Sequence, residues 1–355
     1  MSAPHRAFPR TRKLATAGAL LLSATTAAAV LLPTAALAAE PQPDSVTTHS
    51  GATTTQERSR IDGYWTPDRM KLAGAMVPET TPVPADDNTP DDPRPLPPNT
   101  LDPGAVWTHG TAVDKSVGRL FFTFSDGYDG SCTATVVNSA NRSTVITAAH
   151  CLRAVGAPAT DTTWNHNLYF VPGYRNGTKP LGGFSIKTMA TSSRWDTDPG
   201  KTTSEDVAVA GYDTGILVAN PTAEGRRIAD VTGSQRIAFT EPVKDEFIHT
   251  FGYPNGKLND PSAPYAGSRM IHCAGPAEPG PKAPLLWGEP CDMSHGASGG
   301  PHLARFDTRT GVGTVVGITT TTDELAGGPA RTLYATRLGD SAHRLYSWAS
   351  GVVNV

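Results

Sequence analysis

From about Val106 to the C-terminus the chain is a succession of short apolar runs closed by turn signals, and this pattern narrows the fold more than any other feature. Arg119–Ser125, Cys132–Asn138, Thr144–Thr147, Leu168–Val171, Phe184–Met189 and Asp206–Ala210 read as one group of strands. Phe247–Tyr253, Arg269–Cys273, Gly313–Thr319 and Thr332–Thr336 read as another. Asp126-Gly127, Asn176-Gly177 and Asn255-Gly256 supply turns in which glycine relieves backbone strain. With 35 glycines and 31 prolines in 355 residues, long helices have little room. The expectation is an all-β sandwich or barrel architecture. One helix is predicted near the end, over Asp340–Trp348, with Asp340 as its cap and Leu345 and Trp348 on one face.

The first 38 residues read as a secretory signal. Arg6, Arg10, Arg12 and Lys13 precede an uncharged run from Leu14 to Leu32, and Ala36-Leu37-Ala38 offers a small-residue cleavage site. A retained membrane anchor is the alternative, since the run is nearly long enough to span; Pro33 and the Ala-x-Ala site favour cleavage. Residues 39–105 read as a Pro-rich pro-segment or linker, because repeated proline removes backbone donors and keeps the chain extended. A short helix is predicted near 66–76, capped by Thr66 with Pro67 in its first position. Trp65, Leu72 and Met76 are its candidate docking residues. The segment is read either as an aid to folding that masks the site or as an inert extension. The catalytic region divides into 106–228 and 229–355.

The formal net charge is −3, and removing the four bases of residues 1–38 leaves −7. That balance gives no case for a nucleic-acid partner. Export permits disulfides, and four cysteines allow three pairings. Cys132–Cys151 and Cys273–Cys291 are favoured, each closing a loop beside a candidate catalytic segment. No Cys-x-x-Cys or His-Glu-x-x-His spacing suggests a metal, and no cofactor is expected.

Three further segments carry chemistry. A serine hydroxyl is a poor nucleophile until a base takes its proton, and that base needs a third group to fix its tautomer. Gly296-Ala297-Ser298-Gly299-Gly300-Pro301 offers the serine, with flanking glycines that let consecutive N–H groups face an oxyanion. Thr147-Ala148-Ala149-His150-Cys151 offers the base, and Ser204-Glu205-Asp206-Val207-Ala208-Val209 the acid. The three segments resemble those of trypsin-like (chymotrypsin-family) serine peptidases, most nearly the bacterial secreted, glutamyl-endopeptidase-like group. The resemblance covers roughly residues 110–350. It implies two six-stranded antiparallel β-barrels with the active site between them, followed by a short C-terminal helix.

It also implies a triad of His150, Asp206 and Ser298, with the N–H groups of Gly296 and Ser298 as the oxyanion hole. By position, Asp292, Met293, His295, Thr319, Thr320 and Thr321 would line the substrate pocket. Ala297 stands where many relatives carry an aspartate that pairs with a new N-terminal ammonium, so activation by that ion pair is not expected. The implied activity is a secreted endopeptidase acting on protein or peptide substrates, a monomer free of the membrane once its signal is removed. An inactive binding module is the alternative. An esterase is a weaker one, since Gly-x-Ser-x-Gly also marks a nucleophile elbow whose acid and base would be Asp340 and His343. His249, His272 and His302 read as structural residues.

Overall fold

A computed structural model describes residues 44–73, 104–107, 109–154, 160–195, 207–240, 242–255, 265–280, 286–322 and 332–353. The signal, its cleavage site, Asp206 and Met76 lie outside these residues. The N-terminal part contributes β1 (Val46–Ser50), and β2 (Ala105–Val106) follows the second undescribed stretch. Next come β3 (Val117–Thr123), β4 (Asp129–Val136), β5 (Thr144–Thr147), β6 (His166–Pro172), β7 (Phe184–Ser192) and β8 (Gly215–Ala219). The remaining strands are β9 (Arg236–Ile237), β10 (Phe247–Gly252), β11 (Ile271–Pro276), β12 (Glu278–Pro279), β13 (Leu286–Pro290), β14 (Pro301–Asp307), β15 (Val312–Thr322) and β16 (Thr332–Arg337).

Strands β7-β6-β3-β4-β5-β8 form an antiparallel sheet that a β7–β8 pairing closes into a barrel. The turn expected at Asn176-Gly177 is present with positive φ at both residues, 42° and 82°, which suits a tight hairpin turn. The second sheet runs β12-β13-β16-β15-β14-β10-β11-β2 and stays open, a half-barrel rather than a second closed one. Strands β11 and β13, each next to an edge, approach near Gly275, where an added Cβ would lie 3.1 Å from Pro290. Pro276 ends β11 and Pro290 ends β13, and proline has no N–H to give a ladder. The Cys273–Cys291 disulfide ties β11 to the end of β13, two strands that do not pair through the backbone.

One predicted strand changes identity. Val207–Ala210 is a short helix, and the sixth barrel strand is β8, whose β-branched Ile216 and Val218 are fully buried. The C-terminal helix spans Asp340–Gly351 with Gly339 as its cap, so Asp340 sits inside the first turn. Leu345 is buried and Trp348 packs on the same core, as the spacing predicts.

The largest departure concerns the N-terminal segment. β1 pairs with β7 along Val46–Ser50, on the stretch of β7 that β6 leaves after only two pairs. Helix α1 (Thr55–Tyr64) starts with a capping box between Thr54 and Glu57. Helix α2 (Pro67–Leu72) starts with Thr66 as cap and Pro67 in its first position, as expected. Trp65 is 1% exposed and donates from Nε1 to the Asn167 carbonyl at 2.6 Å. Met70 is fully buried, whereas Leu72 is 62% exposed, so Met70 takes the docking role expected of Leu72. Residues 44–73 thus pack against the barrel, while the prolines from Pro78 to Pro103, on which the linker reading rests, lie outside the described residues.

The two disulfides, Cys132–Cys151 and Cys273–Cys291, join residues 19 and 18 apart. Loops of that length restrict the unfolded chain enough to contribute about 3 kcal/mol each. Replacing Cys273 and Cys291 together by alanine should lower urea stability by about that amount; an unchanged midpoint would contradict the closing role of this bond.

Candidate active site

His150 sits in a 3-10 turn, Ala149–Cys151, that directly follows β5. Its backbone N–H donates to Asp213 Oδ1 at 2.9 Å, and its ring Nδ1 meets Asp213 Oδ2 at 2.7 Å. Asp213 is fully buried, while the His150 side chain is 25% exposed. Thr320 Oγ1 donates to the same Oδ2 at 2.5 Å. A buried carboxylate is tolerated only when its lone pairs are filled, and these donors fill them. The place on Nδ1 expected for Asp206 is therefore held by Asp213. Gly215 makes this approach possible, since a Cβ there would lie 2.8 Å from the Ala148 carbonyl oxygen.

Burial by itself favours the neutral imidazole. The charge of Asp213 and its hydrogen bond outweigh that effect, and the His150 pKa is raised from its ordinary 6.5.

The serine loop is gripped from both barrels. Thr133 N on β4 donates to the Ser298 carbonyl at 2.8 Å, and Thr133 Oγ1 donates to the Gly296 carbonyl at 2.8 Å. Gly299 N donates to Thr319 O, and Thr319 N to Gly300 O, at 2.8 and 2.9 Å. Gly299 has φ +82°, and a Cβ there would lie 2.1 Å from Thr147 Oγ1 and 2.3 Å from the Thr133 carbonyl. No other residue fits that position.

The Cys132–Cys151 disulfide completes the bridge. Cys151 Sγ lies 3.9 Å from the Ser298 carbonyl oxygen. A ring nitrogen of His150 and both sulfurs lie within 4.8 Å of one another. The sulfurs are bonded to each other, so this trio reports proximity of imidazole, disulfide and serine loop rather than a set of thiolate ligands. Gly296 has φ +91°, and among the described residues the N–H groups of Gly296 and Ser298 have no acceptor. Ser298 itself is half-buried.

The expected pocket residues take several different places. Asp292 accepts a hydrogen bond from Gly104 N at 2.7 Å, so its carboxylate holds the chain end of the second undescribed stretch. Met293 is fully buried in a cluster with Ala297 and the second disulfide. His295 is exposed, and its carbonyl accepts from Asn255 N at 2.6 Å. Thr319 is 2% exposed and Thr321 half-buried. Thr320 is 6% exposed, and its hydroxyl supports Asp213. A bulge in β15 between Thr319 and Thr321 re-aims it, as bulges do near sites. His302 is buried, and burial pushes it down to about 3, so it stays neutral. His343 packs its ring on Phe239 at the C-terminal helix, and the main sheets are antiparallel, which removes the nucleophile-elbow alternative.

A hydrogen bond to a charged group contributes about 1.5–3 kcal/mol. Thr320→Val should lower unfolding stability by that order, measured by denaturant titration. Stability equal to that of the parent would show that Asp213 does not depend on this hydroxyl.

No protein-family model and no curated protein matches the chain. Among solved structures, it is similar to the protease Anisep from Arthrobacter nicotinovorans, at 30% identity and TM-score 0.55, over 67% of this chain and 96% of that one. It is also similar to a thermostable serine protease from an extremophilic microorganism, at 27% identity and TM-score 0.55, over 67% and 98%. A Glu endopeptidase shares the fold at 16% identity and TM-score 0.51, over 71% and 98%. With its closed barrel, its half-barrel and these relatives, the chain belongs to the trypsin-like serine peptidases.

Proposed function

We propose that this chain is an exported serine endopeptidase in which Ser298 is the nucleophile, His150 the general base and Asp213 the group that orients it. The observation that carries this reading is the doubly bonded Asp213–His150 pair, because it leaves Nε2 as the ring nitrogen available to a serine. The Ser298 Oγ forms a bond to the substrate carbonyl carbon as its proton passes to His150 Nε2. The carbonyl π electrons move onto oxygen, and the oxyanion accepts hydrogen bonds from the N–H groups of Gly296 and Ser298; losing a donor of this kind raises the barrier by about 2.7–4 kcal/mol. Asp213 stabilises the imidazolium without itself taking a proton. Collapse of the intermediate breaks the C–N bond, and the proton goes from Nε2 to the leaving amine. Water then repeats the sequence on the acyl-enzyme. Two disulfides favour an oxidising compartment. Among the described residues no helix is long and apolar enough to cross a membrane.

A fluorophosphonate should label Ser298 alone. Asp213→Asn should then lower kcat on the order of 10⁴-fold by presenting the wrong tautomer, with Asp206→Asn close to the parent enzyme. The reverse ranking would return the acid role to Asp206, and labelling of another serine would remove the assignment.

The pH dependence has a defined direction. Asp213 raises the His150 pKa above 6.5, so a higher pH is needed to free the base. The rising limb of kcat/KM should have its midpoint above that value, and should move lower in Asp213→Asn. A midpoint at or below 6.5 in the parent would contradict the pairing.

A further inference from the structure

A second buried charge lies away from the triad. Arg119, on β3, is 1% exposed, and among the described residues it has no carboxylate partner. Its guanidinium is held by neutral acceptors. Nη1 donates to the Met70 carbonyl at 3.3 Å and the Gly267 carbonyl at 3.1 Å. Nη2 lies 2.6 Å from the Ala73 carbonyl, 2.8 Å from Ser131 Oγ and 3.0 Å from Asn255 Oδ1. The guanidinium also lies over the faces of Phe121 and Tyr174, at 5.1 and 5.3 Å, where the ring quadrupole favours a cation.

Two of these acceptors belong to the N-terminal segment: Met70 lies in α2 and Ala73 ends it. Carbonyls at a helix C-terminus are left over by the helix itself and carry partial negative charge, so they suit a cation that lacks a counter-ion. Without residues 44–73, Arg119 would lose two of its five acceptors while remaining walled in by rings.

A third acceptor points toward the serine loop. Asn255 donates its backbone N–H to the His295 carbonyl. A Cβ placed on Gly296 would fall 3.0 Å from Asn255 Nδ2 and 2.5 Å from the Tyr253 carbonyl oxygen. Gly296 is therefore wedged between the amide that Arg119 orients and a backbone carbonyl. Gly267 is under a similar limit, with φ +63° and its missing Cβ 2.3 Å from Asn255 Oδ1. A continuous path of contacts runs from Ala73 through Arg119 and Asn255 to Gly296.

Resting on the peptidase reading above, we propose that Arg119 is a positioning residue for the Gly296 loop and that residues 44–73 are a permanent part of the catalytic body rather than a removable pro-segment. The segment supplies acceptors that fix the guanidinium, the guanidinium fixes the Asn255 side chain, and Asn255 holds the backbone that presents one oxyanion donor. Displacing such a donor by about 1 Å costs about 10²-fold in rate.

The test uses full-length secreted protein. Intact-mass measurement of the fluorophosphonate-labelled species should find residues 44–73 present, in the same chain or as a retained fragment. Labelled, active protein that lacks them overturns the proposal while leaving the peptidase reading in place. Wild-type protein that no fluorophosphonate labels overturns both. For the path itself, Asn255→Ala should lower kcat per titrated site about 10- to 100-fold with KM within about twofold. Its affinity for a peptide boronate, which mimics the tetrahedral state, should fall by the same factor as kcat/KM. Arg119→Lys, which keeps the charge but loses the fork that reaches five acceptors, should shift kcat in the same direction. An Asn255→Ala enzyme with parental kcat per site and only a lower unfolding temperature would show that the contact is merely structural.

Discussion

One buried carboxylate organises the site. Asp213 has no exposure to solvent, and an ionised group so placed persists only where several donors surround it. Those donors come from different parts of the chain: the turn after β5 supplies the backbone and ring of His150, and a bulge in β15 supplies Thr320. Satisfying one charge therefore ties the closed barrel to the half-barrel and aims the imidazole in the same act. The serine loop is tied by an equivalent economy. Thr133 reaches Gly296 and Ser298 carbonyls, and its hydroxyl also accepts from Tyr253 N.

Arg119 extends the same logic to the opposite sign. A cation without a carboxylate is stabilised by carbonyls and ring faces, and two of those carbonyls come from residues that precede the barrel in sequence. β1 fills the edge of β7 that β6 abandons, so the N-terminal segment is bound by ladder hydrogen bonds, by the buried Trp65 and Met70, and by charge. The proline-rich residues that follow it connect this body to Gly104, whose N–H is held by Asp292.

Much of this was legible in the sequence. Strand periodicity marked most of the closed barrel, the local cysteine pairs matched the disulfides, and Thr66-Pro67 marked the start of α2. What failed did so for identifiable reasons. Asp206 and Asp213 each precede a run of small and β-branched residues, and motif likeness favoured the first. Local propensity did not reveal that Val207–Ala210 would turn helical, or that Gly215 would let β8 press against the His150 turn. Thr320 is a pocket candidate by its position in the family pattern, and that position carries no sign of the irregularity in β15 between Thr319 and Thr321 or of the bond to Asp213. Arg119 carried no signal, since a lone arginine in a strand usually reads as a surface residue. The nine prolines from Pro78 to Pro103 say nothing of residues 44–73, whose own apolar positions, Ile61, Trp65 and Met70, belong to the core.

The role of Asp213 is examined most directly by a crystal structure of the phosphonylated enzyme. The expected result is phosphorus bonded to Ser298 Oγ and a phosphonyl oxygen about 2.7–3.1 Å from the N–H groups of Gly296 and Ser298, with His150 Nδ1 still on Asp213. Electron density showing Asp206 on that nitrogen, or an imidazole turned away from the adduct, would contradict it.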